Sequence, residues 1–509
     1  MTATISSAVL QGVIGQAVKV EVHASDGLPG FTIVGLPDAS CRESRDRVRA
    51  AVLSSGFDWP KKRVTVNLAP GGLRKEGSGL DLAIAVAVLV AEGVLSKAQT
   101  EKFAFVAELG LDGSLRRVPG TLSLVEAVGP PCVVVAADAH AEASLSGGRE
   151  IYCADRLKDL VQCLGGEVAF AFPPPPPVTA CAAAGEDLRD VRGQALGRRA
   201  LEIAAAGGHH LLMVGPPGAG KTMLAKRLPG LLPPLDGEAA RVVTRIYSAG
   251  DFGVPTSTLI TQPPFRAPHH TATMVALVGG GSRVLRPGEI SAAHGGVLFL
   301  DELGEFSPVV LDALRQPLEE GVIRVSRAVG AVTFPAGFVL VGSMNPCPCG
   351  NAGSPGRCRC SDASRMRYAR RLSGPLLDRF DMRLFVQRPS AEELFRGEPG
   401  EPSAAVRRRV LAAREQATRR GVRHNSMLAS KALEREAPLA PEAARMAEQA
   451  VVSGRLSARG LQRVRCVGLT ICDLDGREPP LRGADLALAL QLRNNPVSLD
   501  RSYAGSHVA

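Results

Sequence analysis

The chain has 509 residues, of which 45% are hydrophobic and 22% charged, with a formal net charge of +10 and eleven cysteines. That length exceeds what one hydrophobic core can organise, and at about 150 residues per domain two to four domains are expected. The opening MTATISSAVLQGVIG lacks the basic stretch of a secretory signal, and the longest apolar run, 83–91, is too short to cross a bilayer. These features exclude a membrane partner and point to the cytoplasm, where closely spaced thiols bind metal or do redox work more often than they staple a fold. The basic balance leans toward a polyanionic partner such as nucleic acid. The arginines within 192–199, 365–383 and 407–420 fit solvated helix faces equally well.

In chain order, VKVEVHA (18–24), FTIVGL (31–36), VTVNLAP (64–70) and CVVVAA (132–137) are β-branched runs that predict strands. Residues 42–54 and 80–95 have helical spacing. The first block, 1–167, is therefore α/β. A linker, 168–186, follows: the five prolines 173–177 have no amide hydrogen and a fixed φ, so they form an extended spacer.

A second α/β block covers 187–388. An apolar strand at 211–214 runs into Gly215-Pro216-Pro217-Gly218-Ala219-Gly220-Lys221-Thr222 and then into a helix-competent run. This is the G-x-x-x-x-G-K-T pattern in its strand–loop–helix setting, a site for a nucleoside triphosphate. Its glycines let backbone amides close on phosphate oxygens, Lys221 reaches the β- and γ-phosphates, and Thr222 offers a hydroxyl to Mg2+. A fully apolar strand at 297–300 ends in Asp301 and Glu302, a carboxylate to hold Mg2+ through water and a second to polarise the attacking water. Another strand, 338–343, delivers Asn345 to the same crevice, because parallel strands present their ligand sites at their C-terminal ends.

Directly after Asn345 come Cys347, Cys349, Cys358 and Cys360 in two C-x-C pairs. The loop is rich in Gly, Pro and Asn and has little to bury, so a tetrahedral Zn2+ on four thiolates would order it; reduced thiols or a redox pair are the alternatives. SGPLLDRFD then places Arg379 either as a phosphate-stabilising finger for a neighbouring subunit or in a local ion pair with Asp378 or Asp381. The third block, 389–509, has apolar positions at three- and four-residue spacing through 404–419, 441–453 and 461–473, which predicts a helical lid. No internal repeat is visible.

Together FTIVGLPDAS, LRKEGSGLDLAIA, GPPGAGKT, FRAPHHTAT, RPGEISAAHGGVLFLDELGEF, LRQPLEEG, NPCPCG, SGPLLDRFD and LSARGLQRVRCVGLTICDL resemble the YifB/ComM group of magnesium-chelatase-like AAA+ ATPases over nearly the whole chain. The resemblance implies a Lon-protease-like, S5-type α/β N-terminal domain, a doubly wound AAA+ core and a magnesium-chelatase-type helical lid. It also implies a ring, hexameric in this group, that hydrolyses ATP with Mg2+ and acts on forked or branched DNA during recombination or natural transformation. A chelatase-like or chaperone-like ATPase that remodels a protein client is the alternative. By position, Lys221 and Thr222 match Walker A, Asp301 and Glu302 Walker B, Asn345 sensor 1, Arg379 the arginine finger and Arg459 the second sensor on the lid.

The same resemblance makes the hairpin before sensor 1 the DNA-touching element, with strands at 322–325 and 330–334 and Ser326, Arg327 and Ala328 near the turn. Arg327, and less strongly Arg324, would then grip phosphate. Residues 265–290 correspond to the insert of the second AAA+ helix; adjacent His269 and His270 are expected to point apart and to serve structure. In the first domain KEGSG (75–79) sits where Lon keeps its nucleophile, but the stretch 118–124, which matches the position of the Lon base, has no lysine, so peptidase activity is not expected.

Overall fold

The computed structural model describes residues 2–170, 186–250, 252–253, 257–281, 285–327, 330–352 and 358–493, with the side chains of 327 and 330 excepted. The proline linker lies outside them for most of its length. Residues up to 165 form a seven-stranded mixed sheet in the order Gly30–Val34, Arg63–Ala69, Ile14–Ser25, Thr2–Gln11, Phe103–Val106, Cys132–Ala136, Glu150–Ala154. Helix Asp81–Ala91 packs on it with almost every residue buried, which is why its apolar run shows no amphipathic stripe. Helix Ala39–Ser54 is started by Asp38, whose side chain accepts from the Cys41 N–H.

The second sheet is wholly parallel, in the order Phe265–Arg266, Val297–Leu300, Val339–Met344, Leu211–Val214, Met382–Phe385. Its central strands are buried throughout, as a sheet covered by helices on both faces requires. The first strand of this block lies between the fourth and the fifth, so progression through the sheet reverses beside Leu211–Val214. A ligand crevice is expected outside the strand ends at that point. Hairpin Val322–Arg327/Gly330–Pro335 stands off this sheet, with Arg327 opposite Gly330. Ser326 and Arg327 therefore belong to the ladder rather than to the turn, since pairing continues two residues further than the β-branched run suggests.

The lid comprises helices Ser403–Arg419, Ser430–Glu436, Pro441–Val452, Ala458–Leu474 and Gly483–Gln491. It shares a hydrophobic core with helix Ala195–Gly207 and the P-loop strand. A buried polar seam reinforces that union: Arg463 of the lid reaches Asp381 Oδ1 at 2.8 Å, and the His210 N–H donates to Asp381 Oδ2 at 3.0 Å. Burial alone would raise the Asp381 pKa, but the hydrogen bond from His209 and the charge of Arg463 hold it well below the carboxylate range. No helix among the described residues is long and apolar enough to cross a membrane.

The first domain docks on the second. The Gly120 N–H donates to the Ser248 carbonyl at 2.8 Å, Arg245 pairs with Glu126 at 2.7 Å, and the Ser248 hydroxyl donates to Glu142. Val13, at the turn between the first two strands, is buried in the core of the second domain. Gly12 turns there at φ +68, and a Cβ on it would stand 2.2 Å from Val332 Cγ1 of the hairpin. Only glycine allows this approach, so the middle of the hairpin and the N-terminal domain share one packed contact.

Candidate functional site

The crevice at the strand ends is a cleft of about 360 Å³ lined by residues 217–223, Asp301, Glu302, Ser343, Met344 and Asn345. Its floor is the turn after Leu211–Val214. Gly218 and Gly220 adopt φ +75 and +86, the left-handed conformation that aims successive amides into the cleft at the start of helix Lys221–Leu231. Gly215 and Pro216 lie behind this wall. Their carbonyls accept from Lys221 Nζ at 2.6 and 3.1 Å, and Asn345 Oδ1 lies 3.3 Å from the same ammonium. Burial lowers the Lys221 pKa, while Asp301 and Glu302 act in the opposite sense. An ammonium held by two loop carbonyls and the Asn345 amide oxygen is poised to exchange them for phosphate oxygens.

Asp301 is fixed from three sides. Thr222 Oγ1 donates to its Oδ2 at 3.0 Å, Ser343 Oγ to its Oδ1 at 2.8 Å, and the Glu302 N–H to Oδ1 at 3.0 Å. The Thr222 hydroxyl and Asp301 carboxylate are hard oxygen donors side by side next to the amide cradle, a set that fits Mg2+ bound with phosphate. Magnesium would supply charge neutralisation to those phosphate oxygens; the protein's part is to hold the donors in place.

Glu302 has φ +51. A non-glycine residue held there costs about 1–3 kcal/mol, a cost the surrounding packing must offset. Its side chain is 56% exposed at the mouth of the cleft, and His270 Nδ1 lies 3.5 Å from its Oε2. The expectation that the adjacent histidines point apart is corrected: residues 267–270 form no regular strand, and the two rings lie against each other, 4.1 Å between centroids and tilted by 33°. His269 accordingly bonds Thr271 Oγ1 at 2.8 Å, while His270 turns to the carboxylate. His270 is thus a site residue that sequence reasoning missed, since its partner lies 32 positions away, just past the end of strand Val297–Leu300. As a positioning residue, His270→Ala should lower kcat by about ten- to a hundredfold with KM little changed, and His270→Gln should recover part of the loss. Steady-state kinetics of both variants checks this.

Two predicted site residues stand apart from the cleft. Arg379 is buried, and its local ion pair is with Glu319 rather than Asp378 or Asp381, which are engaged by Arg383 and Arg463. Burial first, then the charges of Arg459, Arg463 and Arg315, lower its pKa. Arg459 is exposed at the start of helix Ala458–Leu474, with no ion pair or hydrogen bond among the described residues. It therefore stands with Arg379 and does not line the cleft of its own chain. Arg324 is exposed and paired with Glu320; the side chain of Arg327 lies outside the described set.

In the N-terminal domain Ser78 donates to Glu108, and Lys75 is fully buried with its ammonium on the Pro70 carbonyl. No hydrogen bond joins Ser78 to Lys75 among the described residues, so the two halves of a Ser–Lys dyad do not meet. The four cysteine sulfurs after Asn345 all lie within 4.8 Å of one another.

Three family models match in succession: subunit ChlI of Mg-chelatase over residues 20–130, magnesium chelatase subunit ChlI over 187–394, and its C-terminal part over 400–493. YifB of Escherichia coli is 45% identical over 467 residues, 91% of this chain and 92% of its own. Competence protein ComM of Haemophilus influenzae is 44% identical over 487 residues, 94% of each chain. Lon protease 2 of Bacillus subtilis is 29% identical over 149 residues, 26% of this chain and 25% of its own.

Proposed function

The chain belongs to the YifB/ComM family of magnesium-chelatase-like AAA+ ATPases, and from that premise we propose that it is a cytoplasmic, ring-forming motor that couples ATP hydrolysis to movement along branched DNA. The observation that carries turnover is the convergence of Lys221, Thr222, Asp301, Glu302 and Asn345 on one cleft. The ammonium and loop amides bind the triphosphate, Thr222 and Asp301 offer oxygens to its magnesium, and Glu302 accepts the proton of the attacking water. Asn345, already 3.3 Å from Lys221, orients the water or the γ-phosphate.

The separation of Arg379 and Arg459 from the cleft supports a ring. A crowded cationic cluster at one surface and a phosphate site at another are the two halves of a heterologous interface, which closes into a ring when the rotation closes. DNA as the track is supported by the +10 charge, by the hairpin whose first strand carries Arg324 and Arg327, and by the competence role in the name of ComM. Packing of Gly12 and Val13 against that hairpin would carry its displacement to the N-terminal domain.

Purified full-length protein should hydrolyse ATP several-fold faster with four-way or forked DNA, and the stimulation should fall steeply between about 50 and 200 mM salt as phosphate contacts are screened. Hydrolysis indifferent to DNA at both salt concentrations would remove DNA as the track. It would favour the alternative reading, a chelatase-like or chaperone-like ATPase that remodels a protein client.

A further inference from the structure

We propose that Cys347, Cys349, Cys358 and Cys360 form a mononuclear structural Zn2+ site that braces the loop after Asn345 against the phosphate-binding loop. The sulfurs of Cys347 and Cys349 are 3.4 Å apart, those of Cys347 and Cys358 3.7 Å, and those of Cys349 and Cys358 3.6 Å. With Zn–S bonds of about 2.3 Å, the edge of a tetrahedral tetrathiolate is about 3.8 Å. The spacing is that of ligands around one ion. A disulfide needs about 2.05 Å, and each of the four is a free cysteine. A multi-iron cluster places its thiolates on separate irons and needs a wider cage than one with every sulfur within 4.8 Å.

The surroundings also suit charged sulfur. The Ala352 N–H donates to Cys347 Sγ at 3.3 Å and the Arg365 guanidinium to Cys358 Sγ at 3.3 Å, outer contacts of the kind that orient metal-bound ligands. Four thiolates this close repel one another, and a divalent cation supplies the missing attraction. Cys347 is fully buried and Cys349 exposed, so the cage is closed on the protein side. With four protein ligands no coordination position remains for a substrate, which makes the ion structural.

The location gives the site its task. Asn345, two residues before the first ligand, touches Lys221. Gly350, between ligands, turns at φ +75, its N–H on the Cys347 carbonyl at 2.9 Å. A Cβ on it would lie 2.6 Å from Pro217 Cδ. One wall of the cage therefore rests on the phosphate-binding loop. Its sequence, N-P-C-P-C-G-N, has no apolar side chain large enough to hold that wall by burial.

The brace rests on the ATPase reading; the metal does not. Elemental analysis of the untagged full-length protein, purified under reductant without added metal, should find about one zinc per chain and no stoichiometric iron. Titrating the native protein with an organomercurial should release that zinc, and exchange into Co2+ should give the ligand-field spectrum of a tetrahedral tetrathiolate. Less than about one-fifth of an equivalent of zinc, or an equivalent of iron, would overturn the metal assignment. For the brace, Cys358→Ser/Cys360→Ser should lose the zinc and bind a fluorescent ATP analogue about tenfold more weakly. Mercurial release from the wild type, with circular dichroism confirming a retained fold, gives the same reading if the variant does not fold. Nucleotide affinity unchanged after zinc release would discard the brace and leave the metal site. A zinc-loaded protein that binds nucleotide but never hydrolyses it would count against the motor alone.

Discussion

Glu302→Gln should lower ATP turnover by about 10²–10⁴-fold while leaving nucleotide affinity within about twofold of the parent. The expectation follows from where the charge sits. Asp301 is tied to Thr222, Ser343 and a backbone amide, so both its oxygens are already engaged. Glu302, one residue on, has the His270 ring beside it at the cleft mouth, its one ion-pair partner among the described residues. Gln keeps the length, the hydrogen-bonding oxygen and the backbone requirement at φ +51; it loses the negative charge and with it the ability to take a proton. Binding is carried by the loop amides and Lys221, which the change leaves untouched. Steady-state kinetics beside equilibrium binding of a fluorescent ATP analogue separates the two quantities. A variant that turns over at the parental rate would remove Glu302 as the base.

The contrast between Glu302 and its helper shows what the sequence could carry. The strand at 297–300, the loop 215–222 and the carboxylates that follow are legible because each is a local pattern: an apolar run of strand length, glycines at fixed offsets, then a charged end. His270 is not, because its task depends on a strand order that brings residue 270 beside residue 302. The same holds for the docking of Glu126 on Arg241 and Arg245, three ordinary surface charges until the domains meet. Strand Thr2–Gln11 is hidden for another reason: buried on both faces from Ile5 to Val9, it shows no alternation. Helix Gly483–Gln491 follows two prolines and packs its apolar side against Ala458–Leu474, a contact visible only once the lid is assembled.

Arg379→Ala should lower turnover by about 10³-fold or more, and the loss should be repaired by mixing it with the equally inactive Lys221→Ala protein. Within one chain Arg379 does no evident service to the cleft. It is 8% exposed, held by Glu319, and its Nε has no partner among the described residues. Burial first, and then the charges of Arg459, Arg463 and Arg315, lower its pKa, and a phosphate beside this group of arginines would offset both. Since its own cleft lies elsewhere, on the proposed ring that phosphate would belong to a neighbour. In a randomly mixed ring about one-quarter of the sites pair an intact P-loop from an Arg379→Ala chain with an intact Arg379 from a Lys221→Ala chain. Activity should therefore return to about one-quarter of the parental value, on the assumption that sites fire independently. The substitution leaves Glu319, itself 52% exposed, to solvent and removes a repelled cation, so the fold should survive it. Thermal melts of both variants establish that point. If each chain is folded and the mixture stays inert, Arg379 acts within its own subunit and the ring loses its main support.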